Sequence, residues 1–231
     1  MAKLADCPVP RTQAYVASLP HGLLSYPDTQ VKGSAIAAVL KNLPEGMELA
    51  RFPDELREML DHPPPVSAWV PEVPFVALML ALCELAFDSD EAFLAWAESG
   101  FKGYFSASLY RILFAVLSPM RLAKGADKKW GALRRGSRRE MIEATDDFNR
   151  GRVHYPRNAF PLVYVKLLCK GFLVAYRLSR AANADVRIES WSPTESVIEI
   201  VYDVDNFVAA PPADGRLPAD GEPGTPIGRE E

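Results

Sequence analysis

FPLVYVKLLCKGFLVAYRLSR, residues 160–180, reads as a long helix that is apolar on most sides, with Lys166, Lys170 and Arg177 on one stripe as its only wet edge. The sequence on either side of it changes period. Before it, EMIEATDD, a turn at FNRG and then RVHYP predict a β-hairpin over about 140–156, with Asn149 and Gly151 supplying the turn chemistry. After it, DVRIESW (185–191) and SVIEIVYDV (196–204) predict two strands joined by a short Ser-Pro-Thr-Glu connector. In the second of these, Ile198, Ile200, Tyr202 and Val204 alternate with Glu199 and Asp203, as in a half-buried strand. The second half of the chain therefore has the order ββαββ.

The first half is helical. GSAIAAVLKNL (33–43) and PDELREML (53–60) predict helices, the latter with Pro53 at its start and Asp54 and Glu55 suited to the positive end of the dipole. A buried helix is expected over 74–87, then an amphipathic one over 89–100 with Ser89 as cap and Gly100 at its end. Phe105, Leu109, Ile112 and Val116 fall three and four apart and predict a long helix over 101–119, ending before Pro119. Pro8, Pro10, Pro20 and Pro27 predict that residues 1–30 run as an extended arm with at most one helical turn. From Phe207 onward the chain is rich in Pro, Gly and acid, and a disordered tail is expected over 207–231. The expected fold of 31–206 is a single α+β domain, an N-terminal helical layer packed on a four-stranded antiparallel sheet of two hairpins joined by a long helix.

Composition bounds the function. A formal charge of -4 over 231 residues gives no whole-surface attraction for nucleic acid or anionic lipid. Cys7, Cys83 and Cys169 are odd in number and widely spaced, which fits reduced thiols and a cytoplasmic protein. Neither a secretory signal nor a membrane span is expected, since the run over 74–87 is short and contains Glu84. His21, His62 and His154 lie far apart without metal-ligand spacing, so no metal is expected. The common nucleophile and phosphate-binding motifs are absent, and no catalytic residue is assigned. Asp146 and Asp147 are adjacent carboxylates whose side chains should diverge, and a turn accounts for them.

With VKGSAIAAVL at 31–40, WVPEVPFVALMLAL at 69–82 and the closing hairpin, helix and hairpin, the chain resembles a large myxobacterial paralogous family of proteins of unknown function. That family is distantly similar to vinyl-reductase-type sensor domains, heme nitric-oxide-binding domains and TRAPP vesicle-tethering subunits. The resemblance implies a sensor or an assembly platform, with an apolar ligand or acyl chain held between helices and sheet. The sequence departs from those relatives in two places. The last hairpin, WSPTESVIEI, has no Cys. In YFSASLYR the residues Tyr104, Ser108 and Arg111 do not have the Tyr-x-Ser-x-Arg spacing of heme nitric-oxide binders, so no heme or other cofactor is expected.

Two stretches carry the functional candidates. Tyr104, Tyr110, Arg111 and Phe114, with Phe172 and Tyr176, give aromatic bulk with polar tips, which suits a small-molecule pocket and equally an ordinary core. RLAKGADKKWGALRRGSRRE (121–140) carries eight cations against two acids, a local charge of +6 that leaves -10 for the rest of the chain. Leu122, Ala126, Trp130 and Leu133 can form an apolar stripe there while Lys128, Arg135 and Arg139 face outward, although Gly125, Gly131 and Gly136 favour a loop with helical turns. The segment is either a solvated basic face or, through Lys128, Lys129, Arg134, Arg135, Arg138 and Arg139, a contact for an acidic protein. The expected function is a non-enzymatic regulatory or protein-interaction module in cytoplasmic signalling or assembly. Its expected partners are a protein, a second copy of the chain and a small apolar ligand. The alternative is nucleic-acid binding through 121–139.

Overall fold

The computed structural model describes residues 3–105, 118–179 and 181–203. In chain order the elements are α1 (Pro10–Ala17), β1 (Gln30–Lys32), α2 (Ser34–Lys41), α3 (Asp54–Asp61), β2 (Trp69–Pro71), α4 (Glu72–Ala86), α5 (Asp90–Phe105), α6 (Pro119–Lys124), α7 (Ala126–Leu133), β3 (Arg134–Arg135), β4 (Arg138–Ala144), β5 (Phe148–His154), α8 (Leu162–Leu178), β6 (Ala182–Trp191) and β7 (Glu195–Asp203). The fold is α+β. Four antiparallel strands in the order β4-β5-β7-β6 make the main sheet, so the two hairpins lie side by side and β5 pairs with β7 across the return through α8. Along β5 the alternation is strict: Asn149, Gly151 and Val153 face the core, while Arg150, Arg152 and His154 join a ladder of ion pairs on the other face. α8 packs against β6 and β7 and also against α4 and α5 of the helical layer.

α4 is buried on nearly all sides, which its near-continuous apolar sequence allows and its position in the core requires. The cationic stripe of α8 is its solvent edge, with Arg177 exposed and Lys166 and Lys170 half-buried, and it is also a tie to α5. Lys170 and Arg177 reach Glu98 of α5 at 3.1 and 2.8 Å, with Lys102 at 3.3 Å, so the stripe ties two helices together. Glu98 is held below the ordinary carboxylate range: burial opposes this, and hydrogen bonds from Lys170 and Lys102 outweigh it.

Several expectations need correction. The first thirty residues are not an extended arm. Pro10 occupies the first turn of α1, where a missing N–H costs nothing. The free N–H groups of Arg11 and Thr12 donate to the Glu84 carboxylate of α4, at 2.6 and 3.0 Å. Gly100 does not end a helix, since α5 runs through it to Phe105, and the helix expected over 101–119 lies otherwise outside the described residues. FNRG is not a turn: the chain reverses at Thr145–Asp147 and Asn149 and Gly151 lie within β5. A second, small sheet, β2-β1-β3, was not anticipated from strands of two or three residues. The tail over 207–231 lies outside the described residues.

Candidate functional site

Small residues recur on three helices where they face one another: Ala35 and Ala38 on α2, Ala97 and Gly100 on α5, Gly171 and Ala175 on α8. Three- and four-residue spacing puts each pair on one helical face, and the missing side-chain volume leaves a cavity of about 470 Å³. Its remaining wall is largely apolar, from Phe75, Met79, Trp96, Phe101 and Leu168 together with Leu122, Ala126, Trp130 and Leu133. Ile200 of β7 closes it on the sheet side. The volume lies in the range of small-molecule sites, roughly 300–1,000 Å³. A shallower depression of about 390 Å³ between α1 and α8 is occupied at its polar end by the Arg11–Asp90 pair, 2.6 Å apart.

Two polar clusters reach the main cavity. In the first, Glu72 at the start of α4 is wholly buried; its Oε1 accepts from Arg134 Nε at 2.8 Å and from the Tyr164 hydroxyl at 2.8 Å. Burial pushes the Glu72 carboxyl above the ordinary carboxylate range, against the pull of Arg134 and then Tyr164. Arg134 also lies over the Trp130 ring, 4.7 Å from its centre. In the second cluster, Arg139 is only 7% exposed and donates to Asp127 Oδ1 at 3.1 Å and Asn149 Oδ1 at 3.4 Å. Asn149 in turn donates to the Tyr176 hydroxyl at 2.7 Å. Gly151 lies opposite: a Cβ there would stand 2.6 Å from Arg139 Nη2, so glycine is what admits the guanidinium. Burial lowers the Arg139 pKa although Tyr176 and Asp127 favour its charge.

The basic segment is thus divided. Arg139, expected to face outward, is buried because in β4 it stands opposite the buried Val153 of β5, on the core face, and Arg134 is committed to Glu72. Lys129, Arg134 and Arg139 all line the cavity. Lys128, Arg135 and Arg138 remain exposed, with Arg135 stacked 4.0 Å over Trp69. Of the aromatic candidates, Tyr104, Phe172 and Tyr176 line the cavity, whereas Tyr110, Arg111 and Phe114 lie outside the described residues. The apolar stripe of 122–133 faces the cavity, broken into two helices at Gly125. The sequence signal overlooked was the small-residue spacing on α2, α5 and α8.

Cys7, Cys83 and Cys169 are buried and unpaired. Among the described residues no group of three or more His, Cys, Asp or Glu could hold a metal, and no helix is long and apolar enough to cross a membrane.

No family model and no curated protein matches the chain. Solved structures do. An H-NOX structure from a study of heme distortion in that family superposes with a TM-score of 0.53 at 10% identity, over 74% of this chain and 94% of that one. An H-NOX domain related to soluble guanylate cyclases, in its oxygen complex, gives 0.51 at 11% over the same shares. An Fe(II) unliganded H-NOX protein from K. algicida gives 0.50 at 11%, over 77% of this chain and 99% of that one. Since those structures concern heme proteins, the donors around this cavity bear on whether heme fits. No imidazole or thiolate lines it among the described residues, and residues 106–117 contain neither His nor Cys. The hydroxyls of Tyr104, Tyr164 and Tyr176 are already bonded to Ser34, Glu72 and Asn149. Among the described residues this donor set does not fit heme iron. What the chain shares with the H-NOX domains is an α+β architecture, and at 10–11% identity the likeness is one of fold.

Proposed function

We propose that this chain is a non-enzymatic ligand-sensing module of bacterial cytoplasmic signalling or assembly, in which a small apolar molecule other than heme occupies the cavity between helices and sheet. The observation that carries this reading is the cavity itself, about 470 Å³ and walled by α2, α5, α7, α8 and β7 at once. A ligand there touches both layers of the fold, so its binding energy bears on how they pack. The H-NOX-like fold supports a signalling role, and the sequence pattern at 31–40 and 69–82 supports membership of the myxobacterial paralogous family. Lys128, Arg135 and Arg138 form the proposed contact for an acidic protein partner. A homodimer is part of the same proposal.

The test is occupancy by the fluorophore 1-anilinonaphthalene-8-sulfonate, with Ala175→Phe as a variant that fills the cavity from α8. One saturable site in the wild type, lost in the variant without a fall in melting temperature, is the expected result. Unchanged binding in a folded variant overturns the reading, and so does a sharp Soret band at one equivalent of hemin. Native mass spectrometry of the same samples reads the oligomeric state.

A further inference from the structure

The cavity is apolar in its walls and one-sided in its charge. Lys32, Lys129, Arg134 and Arg139 line it, and among the described lining residues there is no Asp or Glu. Three of these cations are already committed. Lys32 donates to the Ser67 carbonyl at 2.9 Å and sits over Trp69, Arg134 is matched by Glu72 behind it, and Arg139 by Asp127. Lys129 differs: among the described residues its ammonium has neither a carboxylate within ion-pair distance nor the carbonyl and ring partners that hold Lys32. It projects from α7 beside Gly125, the glycine that breaks the basic segment into two helices; a Cβ at 125 would stand 2.8 Å from Lys129 Nζ. Burial holds the Lys129 pKa below that of an ordinary lysine, the direction expected of an ammonium in need of a counter-charge.

We infer that the ligand of this cavity is an amphipathic monoanion, a long-chain carboxylate whose apolar body fills the space between α2, α5 and α8 and whose head pairs with Lys129. A neutral apolar ligand leaves a partly desolvated ammonium unmatched, whereas a single anionic head matches the lysine that has no partner among the described residues. Arg134 and Arg139, though neutralised by carboxylates of the protein, add positive potential on the same side and favour the anionic head over a neutral one. The inference rests on the sensing role proposed above and adds to it the chemical class of the ligand.

Trp96 and Trp130 both line the cavity, so intrinsic fluorescence of the full chain reports occupancy directly. The probes are dodecanoate and dodecanol, equal in chain length and different only in the head, used below their aggregation limits. The wild type should bind dodecanoate about tenfold more tightly than dodecanol. That ratio corresponds to about 1.4 kcal/mol, just under the roughly 1.5–3 kcal/mol of a hydrogen bond to a charged group, as suits an ammonium that is only partly buried. Lys129→Met should bring the two affinities together by weakening dodecanoate alone, while Lys128→Gln on the exposed side should change neither. Lys129→Gln serves as a second neutral variant should the Met variant not fold. If the wild type binds both probes equally, or Lys129→Gln keeps the preference for dodecanoate, the anionic head is refuted while the apolar-ligand reading stands. If neither probe binds, both fall together.

Discussion

Replacing Arg134 by Met isolates the consequence of burying Glu72. The substitution keeps most of the stem that packs on Trp130 and removes the guanidinium. The carboxylate is left wholly buried, with the Tyr164 hydroxyl on Oε1 and no described partner on Oε2. Removing one member of a buried pair costs about 3–5 kcal/mol, because the other charge stays out of water without compensation. For a domain of this size each kcal/mol lowers the melting temperature by roughly 2–4 °C, so the expected fall is about 6–20 °C. The pH dependence that Glu72 already confers should also steepen in the variant. With the guanidinium gone, the folded-state pKa of Glu72 rises further above its unfolded value of about 4.3. The folded state then holds the proton more tightly, so stability is greatest below pH ~4 and is lost as pH rises through the raised folded pKa. Adding Glu72→Gln to Arg134→Met removes the charge, keeps an acceptor for Tyr164, and should recover at least half of the loss. Urea unfolding at several pH values measures wild type, the two single variants and the double variant. If Arg134→Met costs less than about 1 kcal/mol, or the double variant costs the sum of the single ones, Glu72 and Arg134 are not coupled as the geometry requires.

Gly151→Ala should cost about 1–3 kcal/mol, because the new Cβ displaces a guanidinium anchored by Asp127 and Asn149. In an Arg139→Met background that cost should largely vanish, and denaturant unfolding of the four forms reads the difference. Glu98→Gln should lower stability at neutral pH by on the order of 1 kcal/mol, since a carboxylate shared by three cations is a network at a partly exposed site. Its folded-state pKa is depressed, so this contribution is present above the ordinary carboxylate range and lost as pH falls through the folded value. The gap between wild type and variant should therefore close towards pH 3, and a gap that stays constant would count against the network.

The sheet half of the fold was legible because its signals are local. Period-two alternation in 196–203 and the long apolar run of 162–178 each specify an element without reference to the rest of the chain. What was misread depends on distant partners. Asn149 and Gly151 carry turn chemistry in isolation, yet one is the acceptor for a buried Arg139 and the other the space that admits it. α1 was hidden because its first free donors are satisfied 72 and 73 residues away rather than by a capping residue beside them. The basic segment misled for a similar reason. Its charge was counted along the chain, whereas strand pairing of β4 decides residue by residue which cation turns inward. The cavity was written in small residues, which carry no chemistry of their own and acquire meaning only when three helices are brought face to face.

The contact between Glu84 and the start of α1 also carries an expectation about the order of events in folding. Eight residues are too few to hold a helix in water, and nucleating one costs more than its first hydrogen bonds return. The carboxylate that receives the N–H groups of Arg11 and Thr12, and the Thr12 hydroxyl at 2.7 Å, arrives only when α4 is formed and buried. α1 is therefore expected to assemble late, on a surface that α4 supplies, which a folding and unfolding rate comparison of Glu84→Gln with wild type would test. Weakening its cap should speed the escape from the native state and leave the rate of reaching it almost unchanged. On that expectation the N-terminal helix is a latch on the core, held by one carboxylate of α4.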